Sequence, residues 1–251
     1  MSLIDDLIAG VDYPDAVVRD VRVGVGWTAV LSARCGVAKT YGIHSTQHVR
    51  IPGAGELIGL PAIEMAQFAR SLNQLEASLG VAALNSMIEP KGEIGANAMD
   101  LFKEKLRGKR AVMVGRFPVE IRELVEAATD FWILELNPAL IDESERVLPV
   151  TAAPSVLSTA EVVALTGSTL VTQSLEYYLS LCRNAYTIVL GPSTPLSEVL
   201  FRYGADVVAG IEVVNPDAVL AVISQGGGRM HPSAFGKTIR YRMLTAPTTG
   251  E

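Results

Sequence analysis

Cysteine is nearly absent from the 251 residues: Cys35 and Cys182 stand far apart, in no spacing that binds a metal or forms a redox pair. A disulfide scaffold is excluded, and a reducing, cytoplasmic setting is expected. Histidine numbers three. His44 and His48 are four apart among Gly, Ser and Thr residues that argue against a helix, and His231 is isolated, so no structural metal site is expected. Basic residues are outnumbered, 21 Lys and Arg against 27 Asp and Glu, for a net charge of −6. No basic block stands out, and nucleic acid is not an expected partner. Long apolar runs are missing as well. The longest, at 162–165 and 219–223, fall far short of the ~20 residues of a membrane span. The opening Met1-Ser2-Leu3-Ile4-Asp5-Asp6 is acidic and lacks a signal peptide's basic start.

What the chain does have is apolar content, 49% hydrophobic against 19% charged, which excludes disorder. Its length exceeds the usual single core of roughly 100–150 residues, and its two parts follow different patterns. Residues 1–107 open on a short amphipathic helix, with Leu3, Ile4, Leu7 and Ile8 on one face. Val21, Val23, Val25, Trp27, Ala29 and Leu31 then fall on every second position: one strand, or two joined near Gly24 and Gly26. The stretch 36–59 reads as turns, and helical patterns follow at 62–72 and 75–88. Strands followed by helices predict a small α+β domain.

Residues 108–251 alternate instead. Strands are expected at 110–115, 131–136, 162–166, 186–190 and 206–209. Helical patterns lie between them: one opening at Pro118 with Ile121, Leu124, Val125 and Ala128 on a face, the others at 171–184, 195–203 and 216–225. Nearly continuous apolar strands alternating with helices predict a parallel sheet covered on both faces. The stretch 138–161 is poorly patterned; Ser158-Thr159-Ala160-Glu161 has the form of a capping box yet abuts a strand. The junction falls near 103–109, where basic residues surround Gly108.

Ligands of open parallel sheets bind beyond the carboxyl ends of the strands, and four such ends are polar or glycine-rich. Gly115-Arg116-Phe117-Pro118 lacks the second glycine of a dinucleotide loop, which disfavours a conventional NAD site. Glu135, before Leu136-Asn137-Pro138, lies 20 residues beyond Gly115, about the spacing of a ribose-binding carboxylate; it could equally close the strand at the solvent boundary. Thr166-Gly167-Ser168-Thr169 offers three hydroxyls and a glycine to a carboxylate or phosphate, or caps a helix. Gly191-Pro192-Ser193-Thr194 is the strongest candidate: Thr194 would cap a helix beginning at Pro195, and Ser193 would point to the same sheet edge. Gly226-Gly227-Gly228 reads as a helix terminator, and Asn215-Pro216 as a capped helix start. Ser193 lacks the G-x-S-x-G of a nucleophile elbow.

Taken in order, Leu75-Glu76-Ala77-Ser78-Leu79-Gly80-Val81-Ala82-Ala83-Leu84-Asn85, Val114-Gly115-Arg116-Phe117-Pro118, Leu165-Thr166-Gly167-Ser168-Thr169-Leu170-Val171, Leu190-Gly191-Pro192-Ser193-Thr194-Pro195-Leu196 and Tyr203-Gly204-Ala205-Asp206-Val207-Val208-Ala209-Gly210 resemble the family of putative heavy-metal chelation proteins. The resemblance implies an α/β fold: a small N-terminal α+β domain like the first domain of enolase, then a Rossmann-like parallel-sheet domain similar to methyltransferases. It also implies a pocket between them for pterin-, flavin- or siderophore-like chelators, on which the protein would act by condensation or hydrolysis. A non-catalytic metal or chelator carrier, or an S-adenosylmethionine-type enzyme, are the alternatives. Thr172 stands where the family often has Asn. Asn85, at the end of an apolar helix, becomes a ligand candidate in this light or else a helix cap; Thr28 and Glu56 are weaker candidates. The expected partners are a small polar or anionic organic ligand or its metal chelate, and a second copy of the chain in a homodimer; no cofactor is identified.

Overall fold

Gly24 and Gly26 split the alternating segment into a hairpin. The structure is a computed structural model that describes residues 2–42, 51–228 and 236–247. In it, α1 (Leu3–Ala9) is closed by a reciprocal Ser2–Asp5 capping box and buries Leu3, Leu7 and Ile8. Strands β1 (Asp20–Val23) and β2 (Trp27–Leu31) pair antiparallel, with Val23 opposite Thr28. A third strand, β3 (Cys35–Lys39), pairs with β2 and completes a small sheet. It lies in a stretch the sequence presents as turns, because its five residues carry a single β-branched side chain, Val37. The helical pattern at 62–72 resolves into α2 (Ala62–Ala66) and a 3-10 turn, and α3 (Gln74–Ser86) covers one face of the small sheet.

Eight strands form the second sheet. In chain order the elements are β4 (Glu93–Ile94), α4 (Ala98–Lys105), β5 (Arg110–Val114), α5 (Ile121–Ala127), β6 (Asp130–Glu135), β7 (Val147–Pro149), α6 (Ala153–Leu157), β8 (Val162–Thr166), α7 (Leu175–Leu181), β9 (Tyr186–Leu190), α8 (Val199–Arg202), β10 (Val207–Val213), α9 (Pro216–Ser224) and β11 (Ile239–Thr245). Across the sheet they run β4-β11-β10-β9-β8-β5-β6-β7, parallel from β10 to β7 and antiparallel at β10–β11 and β11–β4. The parallel part has the Rossmann order, two strands to one side of the first and three to the other.

Alternation within these strands fills two cores. Ala111, Met113, Phe131, Ile133, Ala164 and Ile188 pack on one face with Phe102 of α4 and Leu124 of α5. Val112, Val114, Leu134, Val163, Leu165 and Val189 face the other way, into a cluster that continues through α6–α8 to α1, α2 and α3. A third cluster joins Trp27, Ala29 and Val37 of the small sheet to Val219 and Ile223 of α9. Residues 93–105, which the sequence groups with the N-terminal part, therefore build the large sheet and its covering layer, while α9 of the C-terminal part covers the small one.

Several local expectations are corrected. Helix α5 starts at Ile121 rather than Pro118, leaving Phe117 and Pro118 in an open loop. Residues 167–170 form a 3-10 turn and α7 starts at Leu175, after Gln173 with a left-handed φ of 56°. No helix begins at Pro195; α8 is four residues, Val199–Arg202. The hydroxyls of Ser158 and Thr159 bond back to Pro154 and Val156 carbonyls, ending α6, while Glu161 accepts the Arg110 N–H of β5. Strand β11 and short β7 lie where no strand pattern stands. Asn215 caps α9 through the Ala218 N–H, and Gly226, at φ 83°, follows its end, as expected.

Candidate functional site

The chain leaves β5 toward β6 on one side and returns past it to β8 on the other. Such a reversal opens a crevice at the carboxyl ends of the two strands. Gly115 makes the exit from β5 at φ 86°, and a side chain there would begin 2.8 Å from Thr166 Cγ2 at the end of β8. The crevice widens into a cleft of about 800 Å³.

Eight of the expected site residues line it: Gly115, Phe117, Glu135, Thr166, Ser168, Thr169, Pro192 and Ser193. Five do not. Gly167 packs under the next loop: a Cβ on it would lie 2.2 Å from Thr194 Oγ1 and 2.6 Å from Thr194 N. Thr194 opens no helix; among the described residues its buried hydroxyl has no partner and, with the equally unpartnered Asn85 Oδ1, lines a separate cavity of about 30 Å³, enough for one water. The Asn85 amide donates to Val37 O (2.9 Å) and Ser193 O (3.2 Å), tying α3 and β3 to the 191–194 loop rather than facing the cleft. Asn137 caps a 3-10 turn by accepting from Ala139 N. Gly191 lines a different cavity, of about 500 Å³, on the far side of Phe117 and Pro192. Thr28 bonds Thr40 in the core and Glu56 is exposed, both away from the cleft. The three histidines lie outside the described residues.

The wall also includes residues the sequence did not single out: Trp27, Lys39, Tyr41 and Gln74 of the small unit, Ser174 just before α7 and Tyr178 on it. Trp27 and Lys39 meet only because β2 and β3 place them opposite one another, and β3 carries too little pattern to be seen. The Lys39 ammonium lies 5.3 Å from the Trp27 ring centroid. Burial lowers its pKa. The Tyr41 hydroxyl donates to Ser168 Oγ (3.2 Å), which meets Thr166 Oγ1 at 3.1 Å. Burial raises the Tyr41 pKa, with Glu135's charge adding to the rise and the Ser168 bond opposing it. Across the cleft Glu135 accepts three backbone N–H groups, from Arg116 (3.3 Å), Leu136 (2.8 Å) and Asn137 (2.9 Å). The carboxylate fixes both flanking loops.

Ser193 is buried and its hydroxyl accepts the Lys39 N–H at 2.9 Å, so the serine is bonded to the small unit as well as facing the cleft. Ser193→Ala is therefore expected to lower stability by about 1 kcal/mol, since it leaves a part-buried donor without its partner; urea denaturation measures it, and an unchanged midpoint would show that the bond contributes nothing.

A Rossmann-like sheet, a small α+β unit docked on its carboxyl edge and a cleft between them define the class. The chain belongs to the family described as putative heavy-metal chelation: residues 97–242 match one family model of that description and residues 4–88 a second. Among solved structures it is similar to a protein of unknown function from Desulfitobacterium hafniense DCB-2, 23% identical over 97% of each chain with a TM-score of 0.81. A protein of unknown function from Pyrococcus horikoshii is 21% identical over 97% of this chain and 98% of its own, with a TM-score of 0.78. No curated protein matches the chain.

The described residues do not fit a metal ion held directly by the protein. No three His, Cys, Asp or Glu side chains among them converge. Both cysteines are buried, and burial pushes each thiol from its usual 9.0 up to about 12, which withholds the thiolate that a metal needs. The unfolded chain ionises these thiols first, so their contribution to stability is full below pH 9 and is lost as pH rises toward 12. Both cysteines should resist iodoacetamide at pH 8 in the native protein and react in urea; mass spectrometry of the alkylated chain checks this. Among the described residues no helix is long and apolar enough to cross a membrane.

Proposed function

We propose that the cleft binds a small, flat, polar or anionic organic molecule of the pterin-, flavin- or siderophore-like kind, and that metal reaches the protein as that molecule's chelate. The observation that carries this reading is the cleft's make-up at the strand reversal. The chain is 6% aromatic, yet Trp27, Tyr41, Phe117 and Tyr178 all line one space, together with the Thr166–Ser168–Tyr41 hydroxyl chain. Aromatic walls with a few fixed polar groups suit a conjugated ring with polar edges, and the volume falls within the ~300–1,000 Å³ of small-molecule sites. The reading is one of binding and carriage: the Ser168 and Ser193 hydroxyls are bonded to hydroxyls and a backbone N–H, and no carboxylate among the described residues activates either.

Native mass spectrometry of the protein, purified without chelators, tests it. An organic mass released on denaturation, with any metal leaving alongside it, is the expected result. A metal retained with no organic molecule would overturn the chelate reading.

A second reading, a nucleoside cofactor of the S-adenosylmethionine type, draws on Glu135. It ends β6, the neighbour of the first parallel strand, where Rossmann-like domains hold a ribose. Calorimetric titration with S-adenosylmethionine distinguishes the two, because Phe117 stands where a dinucleotide or nucleoside loop would carry its second glycine.

A further inference from the structure

We infer that Lys39 is the anion-recognition residue of this cleft, selecting ligands that carry a carboxylate, sulfonate or phosphate group beside a flat ring. The inference rests on the cleft being a ligand site and adds what kind of ligand it selects. Lys39 ends β3 opposite Trp27, and the ammonium lies against the indole face on the cleft wall. That pairing offers a ring to stack on and a cation beside it.

Among the described residues its charge has no acidic partner. Many of the other described cations meet acids, among them Lys91 with Asp12, Lys103 with Glu123, Arg146 with Asp130 and Arg242 with Glu212. No Asp or Glu among the described residues pairs with Lys39, and burial alone accounts for its lowered proton affinity. The residues outside the description include one acid, Glu251. The cleft's own carboxylate, Glu135, is engaged by three backbone N–H groups. Arg116 also borders the cleft, but it is exposed, where water and salt screen it. A half-buried cation without a counter-ion is a standing cost to the fold, and an anion placed against it removes that cost. Such a residue is kept at the expense of stability, as binding groups often are.

An isosteric pair of probes separates charge from stacking: naphthalene-2-carboxylate and naphthalene-2-carboxamide, titrated into the full chain by calorimetry at low salt. The carboxylate should bind at least tenfold tighter than the amide. Lys39→Met, which keeps the stem over Trp27, should abolish that preference while leaving amide binding in place, and Lys39→Arg should retain it. The melting temperature of Lys39→Met should equal or exceed that of the parent protein, whereas a lysine serving the fold would lower it. Equal binding of both probes to the parent protein, or a preference that survives Lys39→Met, overturns the role of Lys39 and leaves the cleft reading standing. Binding of neither probe overturns both.

Discussion

Gly167→Ala is expected to lower stability by about 3 kcal/mol, at the upper end of what overpacking costs. The new methyl group would start 2.2 Å from Thr194 Oγ1, 2.6 Å from Thr194 N and 2.7 Å from Thr194 Cα. Two of those atoms are backbone, so no side-chain rotation relieves the contact. The loops after β8 and β9 would have to part, and they carry Thr166, Ser168 and Ser193 into the cleft. For a chain of this size the loss corresponds to a melting temperature lower by roughly 6–12 °C. Gly191→Ala is the instructive contrast. A Cβ there meets nothing closer than 3.8 Å, so the penalty comes from its φ of 114° rather than from crowding. Scanning calorimetry of the two variants checks the account; an unaltered Gly167→Ala would mean that the two loops are not in contact.

Phe102→Ala should cost about 3–5 kcal/mol, the usual range for emptying a buried aromatic site. Phe102 lies on α4, is fully buried and shares a core with Phe131, Ile133 and Leu124. Where the protein loosens matters as much as how far. Hydrogen exchange in Phe102→Ala should quicken first in β5, β6 and β8. Quickening confined to β1–β3 would instead place α4 with the N-terminal unit, on the side of residue 107 to which the sequence assigns it.

The parallel strands other than short β7 are legible because burial on both faces makes them nearly continuous apolar runs, as at 162–166 and 186–190, and a run needs no partner to be recognised. Strand β11 is not: Ile239-Arg240-Tyr241-Arg242-Met243-Leu244-Thr245 mixes charges into its alternation, and Arg242 is inside a sheet because Glu212 on β10 pairs with it at 2.7 Å. Residues 93–105 read as part of the N-terminal unit because Gly108 and its surrounding lysines resemble a boundary; they close α4, which packs on the large sheet. The site divides in the same way. Loops that follow buried strands could be found one at a time, which brought out Gly115, Glu135, Thr166 and Ser193. Trp27, Lys39 and Tyr41 could not, since they reach the cleft only through the register of a hairpin and its third strand. Asn85 and Thr194 are candidates by residue type alone. Their actual neighbours, Val37, Ser193 and Gly167, are long-range contacts that no local pattern encodes.

The central claim, that the cleft at the strand reversal is where this protein holds its small molecule, is tested most directly by a crystal structure of the protein with whatever molecule it retains through purification. The account predicts a flat organic ligand between Trp27 and Phe117, over Thr166 and Ser168, with an anionic group at Lys39. A ligand seated in the 500 Å³ cavity beside α4 and Tyr241, with the larger cleft filled only by solvent, would contradict it.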